Sequence, residues 1–195
     1  MSTLITDNVN TGTIKNSTGN TTAISIDSGG RVGLSQNLVE TWALNGSITA
    51  PASDNIIGDT TNSTWRKVTS VPFADRGGNM VVDNSNGRFT FPHAGVFRVM
   101  CQLNIVGDDA TDNNVQTEIH YSTDSGSNFS AVGLQARGGN YRASGAYTLV
   151  NEAIFNVTNS STFRLRINLG SATGVNCTGG NSDDAIYTKI IFQQI

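Results

Sequence analysis

Apolar and polar residues alternate along several stretches of this chain. The longest stretch is 96–106, where every second side chain is apolar: Phe97, Val99, Cys101, Leu103 and Ile105. Successive side chains of a strand point to opposite faces, so this period of two predicts a strand that buries one face. A second clean alternation covers 163–169. The pattern therefore predicts β-structure in which each of these strands has a single buried face.

The long strand is preceded by signals that fix where it begins. An Asn86-Gly87 turn leads into a short aromatic strand at 89–91, and the chain then reverses between Pro92 and Gly95. Proline has no backbone N–H to donate to a sheet, so this corner lies outside the paired region. The sequence thus predicts two strands joined by a sharp corner.

Further short strands are predicted where apolar runs are bounded by Gly, Asn, Asp or Ser. They cover 65–73, 80–82, 115–121, 129–135, 147–157 and 186–195. Eight or so strands over roughly 130 residues are typical of a jelly roll or a related β-sandwich. One helical turn is predicted at 35–44, because Leu38, Val39 and Trp42 are spaced for a single helical face. The predicted fold class is all-β.

The chain divides by composition into three parts. Residues 1–34 are predicted to form an extended arm with short β-hairpins, because Gly and polar turns separate its few apolar residues. These residues are Ile14, Ile24, Ile26, Val32 and Leu34. Ordering a residue costs about 1 kcal/mol or more of backbone entropy, so the arm either gains a partner surface or remains a disordered tail. Residues 35–64 are predicted as a linker that holds the helical turn, and 65–195 as the head domain.

The last predicted strand has apolar residues on both faces. Ile186, Ile190 and Phe192 share one face, whereas Tyr187, Ile191 and Ile195 share the other. A strand that is apolar on both faces is expected to lie in the middle of a sheet and to be covered on each side.

Charge and composition exclude several partners. Two basic and five acidic residues lie in 1–64, which leaves ten of each in 65–195, so no basic stripe exists to bind nucleic acid. No apolar run is long enough to span a bilayer. The first residues lack the basic and apolar regions of a secretory signal. We therefore expect a protein made in a cytosol, without a nucleic-acid partner and without membrane insertion.

Candidate catalytic and metal-binding groups are few. His93 and His120 have no Cys, Ser or carboxylate at a recognisable spacing, so neither a triad nor a zinc site is predicted. One loop gathers oxygen ligands that form either a solvated turn or a Ca²⁺ site: Asp108, Asp109, Asp112, Asn113 and Asn114. Cys101 is expected as a buried reduced thiol and Cys177 in a Gly-rich loop, unpaired. We predict no enzymatic activity and no cofactor.

A Gly-hinged loop at 135–142 carries residue types that are enriched in interaction hot spots. Arg137, Tyr141 and Arg142 stand at its tip. They either contact a glycan, a receptor or a neighbouring protein, or belong to an ordinary exposed hairpin.

The stretch from Asn86 through Phe89, Pro92 and Gly95 to Phe97 resembles the start of C1q/TNF-like jelly rolls, where such a run leads into the long second strand. The run Thr188-Lys189-Ile190-Ile191-Phe192 and the strand count are also similar to that family. This resemblance implies a homotrimer whose last strand contributes to the centre. The trimer-interface residues would then be Tyr187, Ile191 and Ile195.

The chain begins Met-Ser-Thr and continues to a predicted hairpin that reads from Ala23 to Val32. In these features the first 35 residues resemble the N-termini of bacteriophage fibre and virion-appendage proteins. The resemblance implies attachment to other virion structural proteins through the arm, with Ile14, Ile24, Ile26, Val32 and Leu34 as anchoring residues. The expected location is the virion of a tailed phage, after synthesis in the bacterial host cytoplasm.

Three functions are compatible with these features. The first is a short trimeric fibre that attaches to a host-surface glycan or receptor and displays the jelly roll as its head. The second is a capsid decoration protein or a tail or neck adaptor without receptor binding. The third is a glycan-degrading enzyme, which would need two carboxylates placed across a cleft. Three copies would convert weak single contacts into useful avidity, which favours the first.

Overall fold

Strands account for the regular secondary structure throughout the part of the chain that the computed structural model describes. That part comprises residues 12–15, 22–26, 32–34, 38–49, 55–59, 63–69, 79–107, 115–132, 136–138, 145–170, 175–180, 182 and 186–195. Within these residues there are seventeen strands and no helix. The chain forms two compact units, Met1–Asn37 and Leu38–Ile195.

The strands follow one another in short segments with two long exceptions, β10 and β14. In chain order they are β1 (Gly12–Lys15), β2 (Thr22–Ile26), β3 (Val32–Leu34), β4 (Val39–Leu44), β5 (Ile48–Thr49), β6 (Asn55–Ile57), β7 (Trp65–Lys67), β8 (Val81–Asp83), β9 (Arg88–Thr90), β10 (Gly95–Gly107), β11 (Val115–Ser122), β12 (Ser130–Ala131), β13 (Ala136–Gly138), β14 (Ala146–Val157), β15 (Arg164–Gly170), β16 (Val175–Cys177) and β17 (Lys189–Gln194).

The N-terminal unit contains an antiparallel sheet in the order β1–β2–β3. Ile14 lies opposite Ile24, and Ile26 lies opposite Val32. The predicted short β-hairpins of the arm are therefore confirmed.

Two antiparallel sheets make up the second unit. In the first sheet the strand order is β14–β10–β17–β4–β7. At the C-terminal end of β10, β16 takes the place of β17 as its neighbour and pairs in turn with β5. In the second sheet β11 pairs with β15 on one side and with β12 and β13 on the other. Strand β15 pairs in turn with β6 and β9, and β9 pairs with β8. The predicted all-β sandwich is confirmed.

Aromatic rings from the two sheets meet between them. Phe89 of the second sheet lies 4.9 Å from Phe192 of the first, measured between ring centroids. Phe91 lies 4.8 Å from Phe97 at the start of β10. The predicted inward residues of β10, from Phe97 to Ile105, are all fully buried. Offset and edge-on aromatic pairs contribute about 0.5–1.5 kcal/mol each beyond the area that they bury, so this seam joins the sheets.

Strand β17 lies between β10 and β4, as its two apolar faces predicted for a central strand. Ile190 and Phe192 point into the sandwich and are fully buried. The opposite face of β17 forms part of an exposed surface described below.

The helical turn predicted at 35–44 is wrong, because this segment forms β4. Alternate residues, Leu38, Glu40, Trp42 and Leu44, are buried, which is the period of a strand. The charged Glu40 occupies one of these core positions and hides the period in the sequence. Strand β4 pairs along β17, so residues that were assigned to a linker belong to the sandwich. The same holds for β5 and β6, since the compact unit begins at Leu38.

The buried carboxylate of Glu40 is fully hydrogen-bonded. It accepts hydrogen bonds from Trp42 Nε1 at 2.9 Å, from Lys67 Nζ at 3.1 Å and from the backbone N–H of Met80 at 3.1 Å. A buried charge is tolerated only when it is paired and hydrogen-bonded in this way. Glu40 therefore holds β4, β7 and the segment before β8 together.

Replacing Glu40 with Ala should destabilise the protein by about 3 kcal/mol, because it removes the acceptor of two buried N–H donors and the carboxylate beside Lys67. Glu40→Gln keeps the volume and one acceptor oxygen but turns its NH2 group toward a buried N–H donor, and should cost less, roughly 2 kcal/mol. Urea unfolding at one fixed protein concentration measures both values. Equal losses for the two variants would contradict the hydrogen-bonding role.

Candidate functional site

The outward side of the first sheet is a broad surface that we call the open face. It is built from alternate residues of three adjacent strands, which the antiparallel register places side by side. Its members are Val96, Arg98 and Met100 of β10, Val150, Glu152 and Ile154 of β14, and Ile191, Gln193 and Ile195 at β17.

Large apolar side chains are concentrated on the open face. Ile154 is 62% exposed, Ile195 55% and Val150 52%, and Val96 is exposed next to Ile195. Single exposed apolar residues are normal on a soluble protein, but several that adjoin on one sheet mark an interaction surface. Strand pairing places Val96 beside Ile195, whose N–H donates to the Val96 carbonyl at 3.0 Å.

A single ion pair lies among these apolar groups. Arg98 donates from Nε and Nη2 to the two carboxylate oxygens of Glu152 at 2.8 and 2.7 Å. This bidentate hydrogen bonding lowers the pKa of Glu152 and raises that of Arg98. Beside it is a shallow concavity of about 210 Å³ lined by Arg98, Met100, Ile191 and Gln193. The open face thus combines exposed apolar side chains with polar ones, one fixed charge pair and one depression.

The predicted trimer-interface residues stand on or near this face. Ile191 is half-buried within it, and Ile195 is exposed at its end. Tyr187 is 47% exposed and precedes β17. Their contact with sister chains stays a prediction. The sequence prediction did not include Val150 and Ile154, although both are apolar residues at outward positions of the strand predicted at 147–157.

The other predicted contact residues are placed only in part. Arg137 does not stand at a loop tip as predicted, because it lies on β13, where it pairs with Gln116 of β11. Tyr141 and Arg142 lie outside the described residues. The anchoring residues Ile14, Ile24, Ile26, Val32 and Leu34 lie on β1, β2 and β3, and their contact with a virion stays a prediction.

The two histidines occupy different settings. His93 is exposed in the corner before β10, with Nδ1 2.9 Å from the Ala94 carbonyl. His120 is half-buried on β11, with Nε2 2.8 Å from Glu118 Oε2. The Glu118–His120 contact joins a carboxylate to an imidazole, but in the described part of the chain no serine or cysteine contacts this imidazole to complete a triad.

The candidate calcium loop, Asp108 to Asn114, lies outside the described residues. Among the residues that the structure does describe, no group of three or more His, Cys, Asp or Glu side chains is placed to hold a metal ion. Nor does any helix in these segments have the length and hydropathy to cross a membrane.

Both cysteines are buried free thiols. Cys101 lies on the inward face of β10, as predicted. Cys177 lies in β16 rather than in a loop, opposite Ile105, and its Sγ is 3.4 Å from the hydroxyl of Thr188. Burial raises the pKa of Cys101 and raises that of Cys177 to about 12. Since the thiolate is the nucleophile, neither residue is suited to catalysis.

Comparison with solved structures shows which fold this is. Eiger TNF from S. frugiperda superposes with a TM-score of 0.55 at 11% identity, covering 82% of this chain and 92% of that one. Murine APRIL at pH 8.5 superposes with a TM-score of 0.54 at 10% identity, covering 82% of this chain and all of the other. The sequence matches no protein-family model and no curated protein. The sandwich is therefore a TNF-like jelly roll, which confirms the predicted fold class.

The buried thiols should not react with iodoacetamide in the folded protein at pH 8. Their raised pKa values keep them protonated, and the sandwich excludes the reagent. In urea both residues regain an ordinary thiol pKa and should be alkylated within minutes, adding two labels by mass spectrometry. Rapid labelling of the folded protein would show that β10 or β16 opens readily.

Proposed function

We propose that this chain is a structural protein that assembles into a homotrimer through the open face and presents its jelly roll as a head. The observation that carries the proposal is the concentration of exposed apolar side chains on one sheet. Burying an Ile or Val side chain contributes about 1.5–3 kcal/mol. A threefold assembly multiplies that gain by three, because each copy offers the same surface.

The pair formed by Arg98 and Glu152 suits such an interface. A planar, bidentate pair has a defined direction, so it disfavours alternative packings of sister chains. Its two side chains are 45% and 40% exposed in the single chain, which leaves donors and acceptors free for a neighbour. The proposed role of this pair is to set the geometry of the interface, and the apolar residues around it supply the affinity.

We further propose that the trimer is a short virion fibre of a tailed phage that attaches to the host surface. The support is the resemblance of the first 35 residues to phage appendage proteins. In this scheme the arm binds other virion proteins, and the head displays three copies of each surface loop. Display in threes raises the avidity of weak contacts by orders of magnitude when all three can engage.

The trimer should have a mass of about 62 kDa, three times the 20.6 kDa chain, in light scattering coupled to size exclusion. Val150→Asp should reduce the mass to that of one chain, because it would bury three aspartates opposite Gln102, which carries no positive charge to pair with them. Val81→Asp is the matched control, since Val81 is 60% exposed on β8 of the other sheet. Circular dichroism confirms that both variants fold. A wild-type monomer at micromolar concentration would refute the assembly.

Attachment is tested separately from assembly. A fluorescent wild-type trimer should bind bacterial cells or a glycan array, and Arg137→Ala should weaken that binding without changing the mass. If the trimer binds neither to cells nor to glycans, the decoration or adaptor role is favoured. Release of reducing sugar would instead indicate an enzyme.

A further inference from the structure

A row of charged side chains crosses the outward side of the second sheet, on the face of the sandwich opposite the open face. Asp83 lies opposite Arg88, and His120 lies opposite Arg166. The pairing of Leu165 with Phe89 places Arg166 directly beside Arg88. Like charges at opposed positions of neighbouring strands are destabilising. Two arginines in this arrangement therefore need a physical explanation.

The ring of Phe129 lies against both arginines. The guanidinium carbon of Arg166 is 4.0 Å from the ring centroid, and that of Arg88 is 5.3 Å from it. Each contact is worth about 0.5–1 kcal/mol at an exposed site. The ring thus holds the two side chains in place, but it supplies no negative charge. We call Arg88, Arg166 and Phe129 the arginine pair site.

The inner edges of both guanidinium groups are enclosed. The Nε atoms of Arg88 and Arg166 are buried, and neither has a hydrogen-bond partner among the described residues. The terminal nitrogens are not enclosed in this way. Arg88 Nη1 packs against the backbone of Gly126, since a Cβ on this residue would lie only 2.8 Å from Nη1. The terminal N–H groups of both arginines are therefore the donors that a negatively charged ligand can reach.

Nearby carboxylates are engaged elsewhere. Asp83 accepts hydrogen bonds from the N–H and Oγ of Ser85 and from the amide of Asn86. Asp124 accepts from Ser122 Oγ and from Asn128.

Glu118 is the third carboxylate near the two arginines, and its Oε2 is hydrogen-bonded to His120 Nε2. In the described part of the chain no carboxylate oxygen forms a salt bridge with either arginine of the site. Burial and, after it, the charge of Arg88 lower the pKa of Arg166. The charge of Arg88 also contributes to lowering the pKa of Asp83, after the hydrogen bonds from Ser85, so the charge of the arginine pair is only partly compensated.

We propose that the arginine pair site binds an oxyanion, either the carboxylate of an acidic sugar or a phosphate group. Guanidinium donors match the planar and bidentate geometry of such groups. Phe129 and the neighbouring strands hold both arginines in position before the ligand arrives, which reduces the entropy lost on binding. The site is independent of the proposed assembly, because it lies on the other sheet.

Isothermal titration of the full-length protein at low salt, with sodium glucuronate and with inorganic phosphate, tests this proposal. Wild type should bind at least one of the two, and Arg166→Gln and Arg88→Gln should each weaken that binding about tenfold or more, the loss of one charge-assisted contact. Binding of glucuronate alone assigns the site to an acidic sugar. Binding of phosphate with equal or greater affinity assigns it to free phosphate.

Arg164→Gln is the matched control, since it removes the same charge from the same face of β15. The Arg164 guanidinium is already bound to the carbonyls of Ser160, Ser161 and Phe163. Its substitution should weaken binding by no more than about threefold, because its charge acts on the ligand only through water and not through a direct contact. An equal loss in the control, or no binding of either ligand by wild type, would overturn the proposal. Circular dichroism verifies the fold of each variant.

Discussion

The contact between aromatic rings of the two sheets is the constraint on which the rest of this structure depends. Phe89 meets Phe192, and Phe91 meets Phe97, each pair within 5 Å between centroids. Because a strand alternates its side chains, seating these rings inside also fixes which residues face outward. Each candidate surface is thus the outward face of a sheet whose inward face forms the core. A slip of one residue in β10 or β17 would bury Arg98 or Gln193 and expose the rings.

The sequence predicted strands well where the alternation was clear and failed at β4, where a charged residue entered the core. Strands β10 and β15 could be predicted because their inward residues are apolar without exception. Strand β4 could not, because Glu40 occupies a core position and draws its partners from Lys67 and Met80, far away in the chain. Nor could strand order be predicted. Pairing of Glu40 with Phe192 joins opposite ends of the sandwich sequence, and no local pattern encodes it.

The two surfaces differ in how visible they are in the sequence. Strand β17 is apolar on both faces, so an exposed apolar surface could be predicted from one short segment. The arginine pair site could not, since Arg88, Phe129 and Arg166 come from three separate segments. Only the register of β9 against β15 and the path of the chain after β11 bring them together. No fixed spacing in the sequence identifies a site of this kind, because strand pairing in the sheet brings its residues together.

Placing the two surfaces on opposite sides of one sandwich has a consequence for display. Packed sheets lie about 10 Å apart, so an assembly that buries the outward side of one sheet leaves the outward side of the other free. In a trimer formed through the open face, the arginine pair sites would all point away from the axis. Each site alone would bind an oxyanion weakly. Three on one rigid particle would bind a surface that carries many such groups far more tightly, since the second and third contacts are intramolecular.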